Sequence, residues 1–302
     1  MKKISYGILI ILFMGLLWYL FVKPSDYIIR FTAKTFPGDI NQTLKLWNQN
    51  LSNSKEKLAG QTIEDNGDLL HLVQNIKFGD SVHTYYWDIK PLTDSTSKVI
   101  VGVTDKEHSI LNRIKIPFSK TDFEKRSEKT VLDFMQNLRE HTKNFKITII
   151  GEAEIPSKYI AYIPIKGKQF EKADGMMRNF TFLTNELFIN GAEFNGPPII
   201  EVTYWDKKND SIHFNFGQPI IRSENLPIGQ EIKYKRIFKK KALKAEYNGN
   251  YITSDRAWYA LLNYAKKNNI EVDATPFEVF HNNPNTGGDE INWKAEVYLP
   301  IK

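Results

Sequence analysis

Hydrophobic and polar positions follow two different periods along the chain, which predicts both strands and helices. Between residues 69 and 103, three runs rich in β-branched and aromatic residues are typical of strands. Gly79 and Asp80 separate the first two runs and predict a hairpin. A capping box at Thr121–Glu124 then opens an apolar pattern with helical spacing. Residues 26–143 are therefore predicted to form an antiparallel sheet with one long final helix.

The pattern of residues 144–302 occurs twice. Each copy reads as a strand, a glycine turn, an amphipathic helix and two further strands, and the copies span Tyr159–Ile220 and Ala242–Ile301. Aligning the two copies places Glu201 in the position of Glu278. Two such units related by a pseudo-two-fold axis would carry their helices on one side and leave a groove at the junction. The predicted fold class is α+β, with a helix-on-antiparallel-sheet domain followed by a duplicated β-α-β-β domain.

The first residues carry an uncharged apolar run, Ile4–Val22. As a helix with a rise of about 1.5 Å per residue, the run would be roughly 28 Å long, close to the thickness of a hydrocarbon core. No small-residue cleavage site follows it, and Trp18 and Tyr19 lie where an interfacial aromatic belt is expected. Residues 1–25 are therefore predicted to form a single-pass membrane anchor, with the body of the chain on the extracytoplasmic side.

Composition narrows the possible functions. The 302 residues are 41% hydrophobic and 13% aromatic, which is typical of a globular protein with a sizeable core. The net charge of +6 is spread thinly, with one dense basic patch at residues 233–241. No nucleic-acid reader motif is present, so nucleic acid is not expected as a partner. The absence of cysteine excludes disulfides and thiol catalysis, and no metal or cofactor is predicted.

Residues 26–143 resemble START-like domains of the polyketide-cyclase and lipid-transfer (SRPBCC) type. The resemblance rests on the order of strand, small helix, antiparallel strands and long helix, together with Trp47 and the pair Trp87-Asp88. It implies an apolar cavity between the helix and the sheet. The sequence allows two readings of His71, His83 and His108, as polar groups in that cavity or as structural or exposed residues without metal-ligand spacing.

Residues 144–302 resemble the GyrI-like effector-binding domain, which occurs at the C-terminus of many bacterial transcription activators and also on its own. The matching segments are Gly249-Asn250-Tyr251, the aromatic helix, Glu278-Val279-Phe280, the turn Asn283-Pro284-Asn285 and the final strand Trp293–Ile301. In that family, the glutamate matching Glu278 faces a groove and meets cationic or polar ligands among tyrosines. Here Phe280 stands where the family more often has tyrosine, which removes one hydroxyl contact.

Glu278 is the one charged residue of an apolar strand, and the resemblance implies that it is the central carboxylate of an aromatic groove. The alternative is that Glu278 faces solvent on an edge strand. Each aromatic candidate can also be an ordinary core residue, and Glu296 either forms a surface pair with Lys294 or is a second groove carboxylate. The predicted ligand-binding residues are Glu278, Tyr251, Tyr204, Trp205, Phe216, Trp293 and Glu296.

These features predict a membrane-anchored protein that binds a small hydrophobic or cationic molecule. Cation–π contacts and one ion pair in a low dielectric suit such a ligand. The alternative is a hydrolase in which Glu278 and Glu296 share acid and base roles on a small electrophilic compound. A structural role in an envelope assembly is a third possibility. DNA-binding regulation is disfavoured, because a START-like domain stands where those activators carry their reader domain.

Overall fold

A computed structural model describes residues 2–53, 62–65, 69–79, 81–93, 95–209, 211–224, 226–227, 229 and 231–302. Asp80, half of the predicted hairpin turn, lies outside the described residues. The chain divides into two compact units, Met1–Arg139 and Glu140–Lys302. Each unit combines an antiparallel sheet with helices, so the predicted α+β class is confirmed.

The prediction of a membrane anchor at residues 4–22 was wrong. Among the described residues, no helix is both long enough and apolar enough to cross a membrane. Helix α1 (Lys2–Leu17) has 16 residues. Residues Trp18–Val22 continue the chain as a π-helical segment. Hydropathy alone did not reveal where the α-helix ends.

A buried arginine holds the end of this N-terminal segment. The Arg113 side chain donates to the backbone carbonyls of Tyr19 (3.2 Å), Leu20 (3.1 Å) and Lys23 (2.7 Å). Its Nε also donates to Asp26 Oδ1 at 2.6 Å. Carbonyls at a helix end have no partner within the helix, so the guanidinium satisfies groups that would otherwise need water.

The first unit is built on a five-stranded antiparallel sheet with the order β1-β5-β4-β3-β2. Helices α2 and α4 are amphipathic and bury apolar residues against the sheet, whereas α3 buries Asn112 and Arg113. The strands are β1 (Tyr27–Ala33), β2 (Thr62–Asp65), β3 (His71–Phe78), β4 (Ser81–Thr93) and β5 (Thr96–Asp105), and the helices are α2 (Pro37–Asn53), α3 (Ser109–Lys115) and α4 (Asp122–Lys143).

Aromatic side chains from a helix pair and the sheet fill the core of this unit. The ring of Phe134 on α4 lies 5.5 Å from that of Trp47 and 5.0 Å from that of Trp87. Trp87 Nε1 donates to Gln74 Oε1 at 3.2 Å, and Gln74 Nε2 donates to Asn48 Oδ1 at 2.8 Å. The buried polar side chains of Trp87, Gln74 and Asn48 are therefore paired with one another.

The first unit also buries a histidine. His83 on β4 is 1% exposed, and its ring lies 4.7 Å from that of Phe78 and 5.0 Å from that of Phe123. Burial lowers the pKa of His83 to about 4, although the nearby Asp105 carboxylate opposes this shift. His83 is therefore neutral in the folded protein at neutral pH.

This pKa predicts that the first unit loses stability in mild acid. The unfolded chain protonates His83 near pH 6.5, whereas the folded unit resists protonation until about pH 4. The contribution of His83 is therefore complete above pH 6.5 and lost as the pH falls towards 4, by about 2 to 3 kcal/mol. Hydrogen exchange of β4 peptides, measured across urea at several pH values, reports this free energy.

The substitution His83→Gln should flatten that pH dependence between pH 7 and 4.5. His71→Gln is the matched control, because the His71 side chain is 54% exposed. Equal pH slopes for the wild type and His83→Gln would contradict the assignment.

The second unit is an eight-stranded sheet with the order β10-β7-β9-β8-β12-β13-β11-β6. Two helices accompany it, each following the first strand of one repeat. Its elements are β6 (Phe145–Ile155), β7 (Lys158–Lys168), α5 (Lys172–Ile189), β8 (Ile199–Asp206), β9 (Ser211–Pro219), β10 (Lys233–Ile237), β11 (Lys240–Gly249), α6 (Arg256–Lys267), β12 (Phe277–Phe280) and β13 (Lys294–Pro300).

The strand order confirms the predicted duplication. Each repeat contributes three adjacent strands, β7-β9-β8 and β11-β13-β12, and the repeats meet where β8 pairs with β12. The strand before each repeat pairs with the other repeat, so that β6 lies beside β11 and β10 beside β7. The edge strands supply Ile155 and Ile237 to one apolar cluster, which shows that the sheet curls around its face.

Candidate ligand-binding site

The site is organised around Glu278 on β12. This strand lies between β8 and β13 in the middle of the sheet, and all four of its residues are buried. Side chains alternate between the faces of a strand. Phe277 and Val279 belong to the apolar cluster on one face, so Glu278 and Phe280 point to the other face. Glu278 therefore does not lie on an edge strand, and its side chain is fully buried.

Three side chains from three different segments hold the Glu278 carboxylate. Lys172 Nζ lies 2.9 Å from Oε1 and 2.6 Å from Oε2. Trp258 Nε1 donates to Oε1 at 2.6 Å. Ser254 Oγ lies 3.2 and 3.1 Å from the two oxygens and accepts a hydrogen bond from Lys172. The carboxylate is thus paired with a cation and receives further hydrogen bonds, as a buried charge requires.

Lys172 is itself almost completely buried, with 1% of its surface exposed. Its ammonium lies 5.0 Å from the centre of the Trp258 ring and 5.9 Å from that of Phe280, within the range of cation–π attraction. The protein therefore places its own cation, among aromatic rings, against the carboxylate that was expected to receive a cationic ligand. The charges of Glu278 and Lys172 cancel inside the domain.

Local backbone geometry brings Ser254 to this position. β11 ends at Gly249, whose φ of +146° is one that residues with a side chain rarely adopt. A Cβ there would lie 2.8 Å from Phe145 Cβ. Beyond it, the 3₁₀ turn Tyr251–Thr253 leads into α6, which begins at Arg256. A serine just before a helix commonly caps it, but the Ser254 hydroxyl contacts Glu278 and the carbonyl of Tyr251 instead.

A second buried polar cluster lies beside the ion pair. Gln169 Oε1 accepts hydrogen bonds from Trp205 Nε1 at 2.8 Å and from the Tyr259 hydroxyl at 3.0 Å. Gln169 Nε2 donates to Asp255 Oδ2 at 2.5 Å. The Trp205 ring also lies 5.1 Å from that of Trp258, edge to face. The Trp205 ring that packs against Trp258 is thus itself held by a hydrogen bond to Gln169.

An apolar groove borders the ion pair, between α5 and the segment that follows β12. We call it the α5–β12 groove, and its volume is about 210 Å³. Phe280 lines the groove and also lies against Lys172, so it is shared by the groove and the ion pair. The lining residues are Met176, Met177, Phe180, Pro197, Pro198, Tyr251, Phe280, His281, Asn282, Asn283 and Pro284.

Tyr251 joins the groove to the neighbouring backbone. Its hydroxyl donates to the Lys294 carbonyl at 2.9 Å and accepts from the Asn282 amide at 3.0 Å. Burial, with a smaller effect of the Glu278 charge, raises the pKa of Tyr251 to about 12. The phenol therefore stays protonated. Its ring contacts Phe280 at 4.7 Å and Trp293 at 5.8 Å.

The structure brings some of the other predicted site residues to this region and leaves others outside it. Trp205 is buried beside Trp258, while Phe216 is a core residue whose ring lies 6.4 Å from that of Phe180. Tyr204 is 50% exposed, with its ring against His213. Neither Phe216 nor Tyr204 lines the α5–β12 groove.

Glu296 lies on the other face of the sheet. It is paired with Val279 across the strands, whereas Glu278 is paired with Val297. Glu296 contacts Lys244 at 3.0 Å and accepts from the Tyr298 hydroxyl at 2.7 Å. Since the sheet separates Glu296 from Glu278, the geometry does not bring together the two carboxylates that a hydrolase would use.

The predicted equivalence of Glu201 and Glu278 was also wrong. A two-fold axis perpendicular to the sheet relates residues that face the same side. Glu201 is paired with Phe277 and therefore faces the side opposite to Glu278. Glu201 is partly exposed and forms an ion pair with Lys235. The two glutamates have different partners and very different degrees of burial.

Three residues of the site were missed as site residues by the sequence reasoning. The spacing of Trp258 is that of an apolar helix face, and Ser254 has the type and position of a helix cap. Lys172 opens α5, where a lysine is normally exposed, so nothing in its sequence neighbourhood signals a buried partner for Glu278. In the described part of the chain, no group of three or more His, Cys, Asp or Glu side chains is arranged to hold a metal ion.

Comparison with known families identifies the second unit. Residues 152–302 match the family described as the GyrI-like small molecule binding domain. The chain belongs to this family. The GyrI-like domain thus comprises the duplicated sheet, the buried Glu278 and the α5–β12 groove, and its family assignment supports a role in binding a small molecule. No curated protein matches the chain.

Several solved structures are similar to this chain. The C-terminal domain of EcmrR has 14% identity and a TM-score of 0.43, over 52% of this chain and 98% of that one. SAV2435 bound to tetraphenylphosphonium has 10% identity and a TM-score of 0.37, over 52% and 93%. A hydrolase from Listeria innocua has 10% identity and a TM-score of 0.32, over 54% and 98%. At these values, the likeness carries no argument about ligand or reaction.

The ion pair predicts a large cost for removing one partner. Lys172→Met would leave the buried Glu278 carboxylate without its cation, and we expect a loss of about 3 to 5 kcal/mol in the free energy of unfolding of the GyrI-like domain. Combining Lys172→Met with Glu278→Gln should recover at least half of this loss, because no charge is then left unpaired. Hydrogen exchange of β12 and β13 peptides across urea measures these changes.

Lys235→Met provides the matched control. It removes the lysine from the partly exposed pair with Glu201, and we expect a cost below about 1 kcal/mol. If Lys172→Met costs no more than this control, the buried pair is not a major determinant of the domain's stability.

Proposed function

We propose that the GyrI-like domain binds a small, uncharged, aromatic or aliphatic molecule in the α5–β12 groove. The observation that carries this proposal is the pairing of Glu278 with Lys172. Since an internal cation neutralises the carboxylate, the site has no free negative charge at Glu278 to offer a cationic ligand. The ligand gains its affinity from apolar burial instead.

The lining of the groove supports this ligand class. Met176, Met177 and Phe180 supply one wall from α5, and Tyr251 and Phe280 supply aromatic surface opposite. Methionine side chains adapt their shape to apolar ligands, and aromatic rings bury a large area at a low cost in entropy. A volume of about 210 Å³ suits a single substituted ring. Larger ligands would require α5 or the Pro197-Pro198 segment to move.

Two molecules of the same shape and different charge test the proposal. The neutral probe is meta-tert-butylphenol, and its cationic counterpart is meta-hydroxyphenyltrimethylammonium. We expect the neutral probe to bind the full chain at least about tenfold more tightly, because the cation would lie near Lys172 in a low dielectric. Two-dimensional NMR with methyl-labelled methionine would follow Met176 and Met177 during each titration.

Filling the groove should weaken binding. Met177→Trp places a larger side chain on the groove wall, and we expect a loss of at least about tenfold in affinity for the neutral probe. Thr181→Trp is the matched control, since Thr181 is exposed on the same helix and does not line the groove. Tighter binding of the cation, or unchanged binding in Met177→Trp, would overturn the proposal.

We also propose a START-like arrangement for residues 26–143, ahead of the GyrI-like segment at 144–302. The order of β1, α2, four antiparallel strands and α4 supports it. The rings of Trp47, Trp87 and Phe134 occupy the space between helix and sheet. The core there is therefore aromatic and packed rather than a large lipid cavity. The expectation that nucleic acid is not a partner stays a prediction.

A further inference from the structure

A groove in the first unit has features of a second binding site, separate from the GyrI-like domain. Its volume is about 500 Å³, and it lies between the start of β4, the end of β5 and the segment joining α3 to α4. Its lining includes the polar and charged residues His83, Asp105, His108, Asn112, Lys115 and Arg126.

Two buried polar atoms of the groove lack a partner. Within the described residues, His83 Nδ1 and Asn112 Nδ2 make no hydrogen bond, although His83 is 1% exposed and Asn112 is 8% exposed. Leaving such an atom unpaired costs about 1 to 3 kcal/mol. Both residues line the same groove, so a ligand that binds there is placed to supply the missing partners.

The surroundings of His83 indicate what each atom needs. Its Nε2 lies 3.9 Å from Asp105 Oδ2, and the negative charge favours the tautomer with the proton on that nitrogen. His83 Nδ1 is then an acceptor, whereas the Asn112 amide nitrogen is a donor. A ligand hydroxyl meets both requirements, because it donates one hydrogen bond and accepts another.

The charges along the groove are not balanced. Asp105 is already engaged by the backbone amides of Glu107 and His108 and by the His108 ring at 3.1 Å. Arg126 and Lys115 are exposed, and neither has an acidic partner within 4.0 Å in the described part of the chain. Arg126 and Lys115 line the same groove as His83 and Asn112, so an anion bound there meets positive charge.

We propose that this groove binds a small organic anion that carries a hydroxyl group, of the hydroxycarboxylate class. The hydroxyl lies between His83 Nδ1 and Asn112 Nδ2, and the carboxylate faces Arg126 and Lys115. Because the site recognises both the hydroxyl and the carboxylate, an anion without the hydroxyl binds more weakly. A hydroxyl compound without the negative charge also binds more weakly.

Malate, succinate and malamide separate these contributions, since they differ in the hydroxyl or in the charge. Chemical shifts of the His83 ring nitrogens and the Asn112 side-chain amide, followed in the full chain by NMR, report binding at the groove. We expect saturable shifts with malate and an affinity about fivefold lower for succinate and for malamide, the size of one hydrogen bond or one exposed ion pair.

Variants assign the two contacts. Arg126→Gln, an exposed position, should weaken malate binding about fivefold. Lys129→Gln should leave it unchanged, because Lys129 is exposed on the same helix and does not line the groove. Asn112→Leu should remove the preference for malate over succinate. Equal affinities for malate and succinate in the wild type, shifts that do not saturate, or binding insensitive to Arg126→Gln would overturn the proposal.

Discussion

The second unit depends on keeping a charge pair out of water. Burying an ion costs several kcal/mol even after the protein has relaxed, and only close contacts with a counter-ion and further donors offset that cost. For Glu278 these contacts come from α5, from the turn after β11 and from α6. The pair is stable only when both repeats are folded and in register. The ion pair therefore links the two repeats, in addition to the strand pairing of β8 with β12.

The two units differ in how completely their buried polar groups are paired. Around Glu278 and Gln169, each polar side chain that lies between the sheet and the helices has a partner. At His83 and Asn112, two buried atoms in the first unit have none. A saturated network makes a region rigid, whereas an unsaturated one leaves free energy available to whatever completes it. The first arrangement is that of a structural centre, and the second is that of a receptor for a polar ligand.

The architecture could be predicted well from the sequence, but the ion pair between Glu278 and Lys172 could not. Periodicity and the repeated strand-helix-strand order were sufficient for the duplication, and Glu278 was conspicuous among apolar neighbours. Its partner Lys172 was not, because 106 residues separate them and a lysine at a helix start is ordinary. The pairing of β8 with β12 differs by one residue from the alignment of the two copies, so Glu201 faces the side of the sheet opposite to Glu278. At the N-terminus, composition described an apolar run, but only the backbone shows that α1 ends at Leu17.

The position of Lys172 has a consequence for how this domain can change over generations. The carboxylate belongs to a central strand, where most replacements would disturb the sheet, but its cation is carried by a helix at the margin of the groove. Single-base changes convert a lysine codon to methionine, glutamine or threonine. A cationic compound that binds beside the unpaired Glu278 carboxylate would offset part of the lost stability, so the folded mutant would be stabilised in the presence of that compound. The lysine thus acts as a built-in ligand, and its loss offers a short evolutionary route to a new specificity.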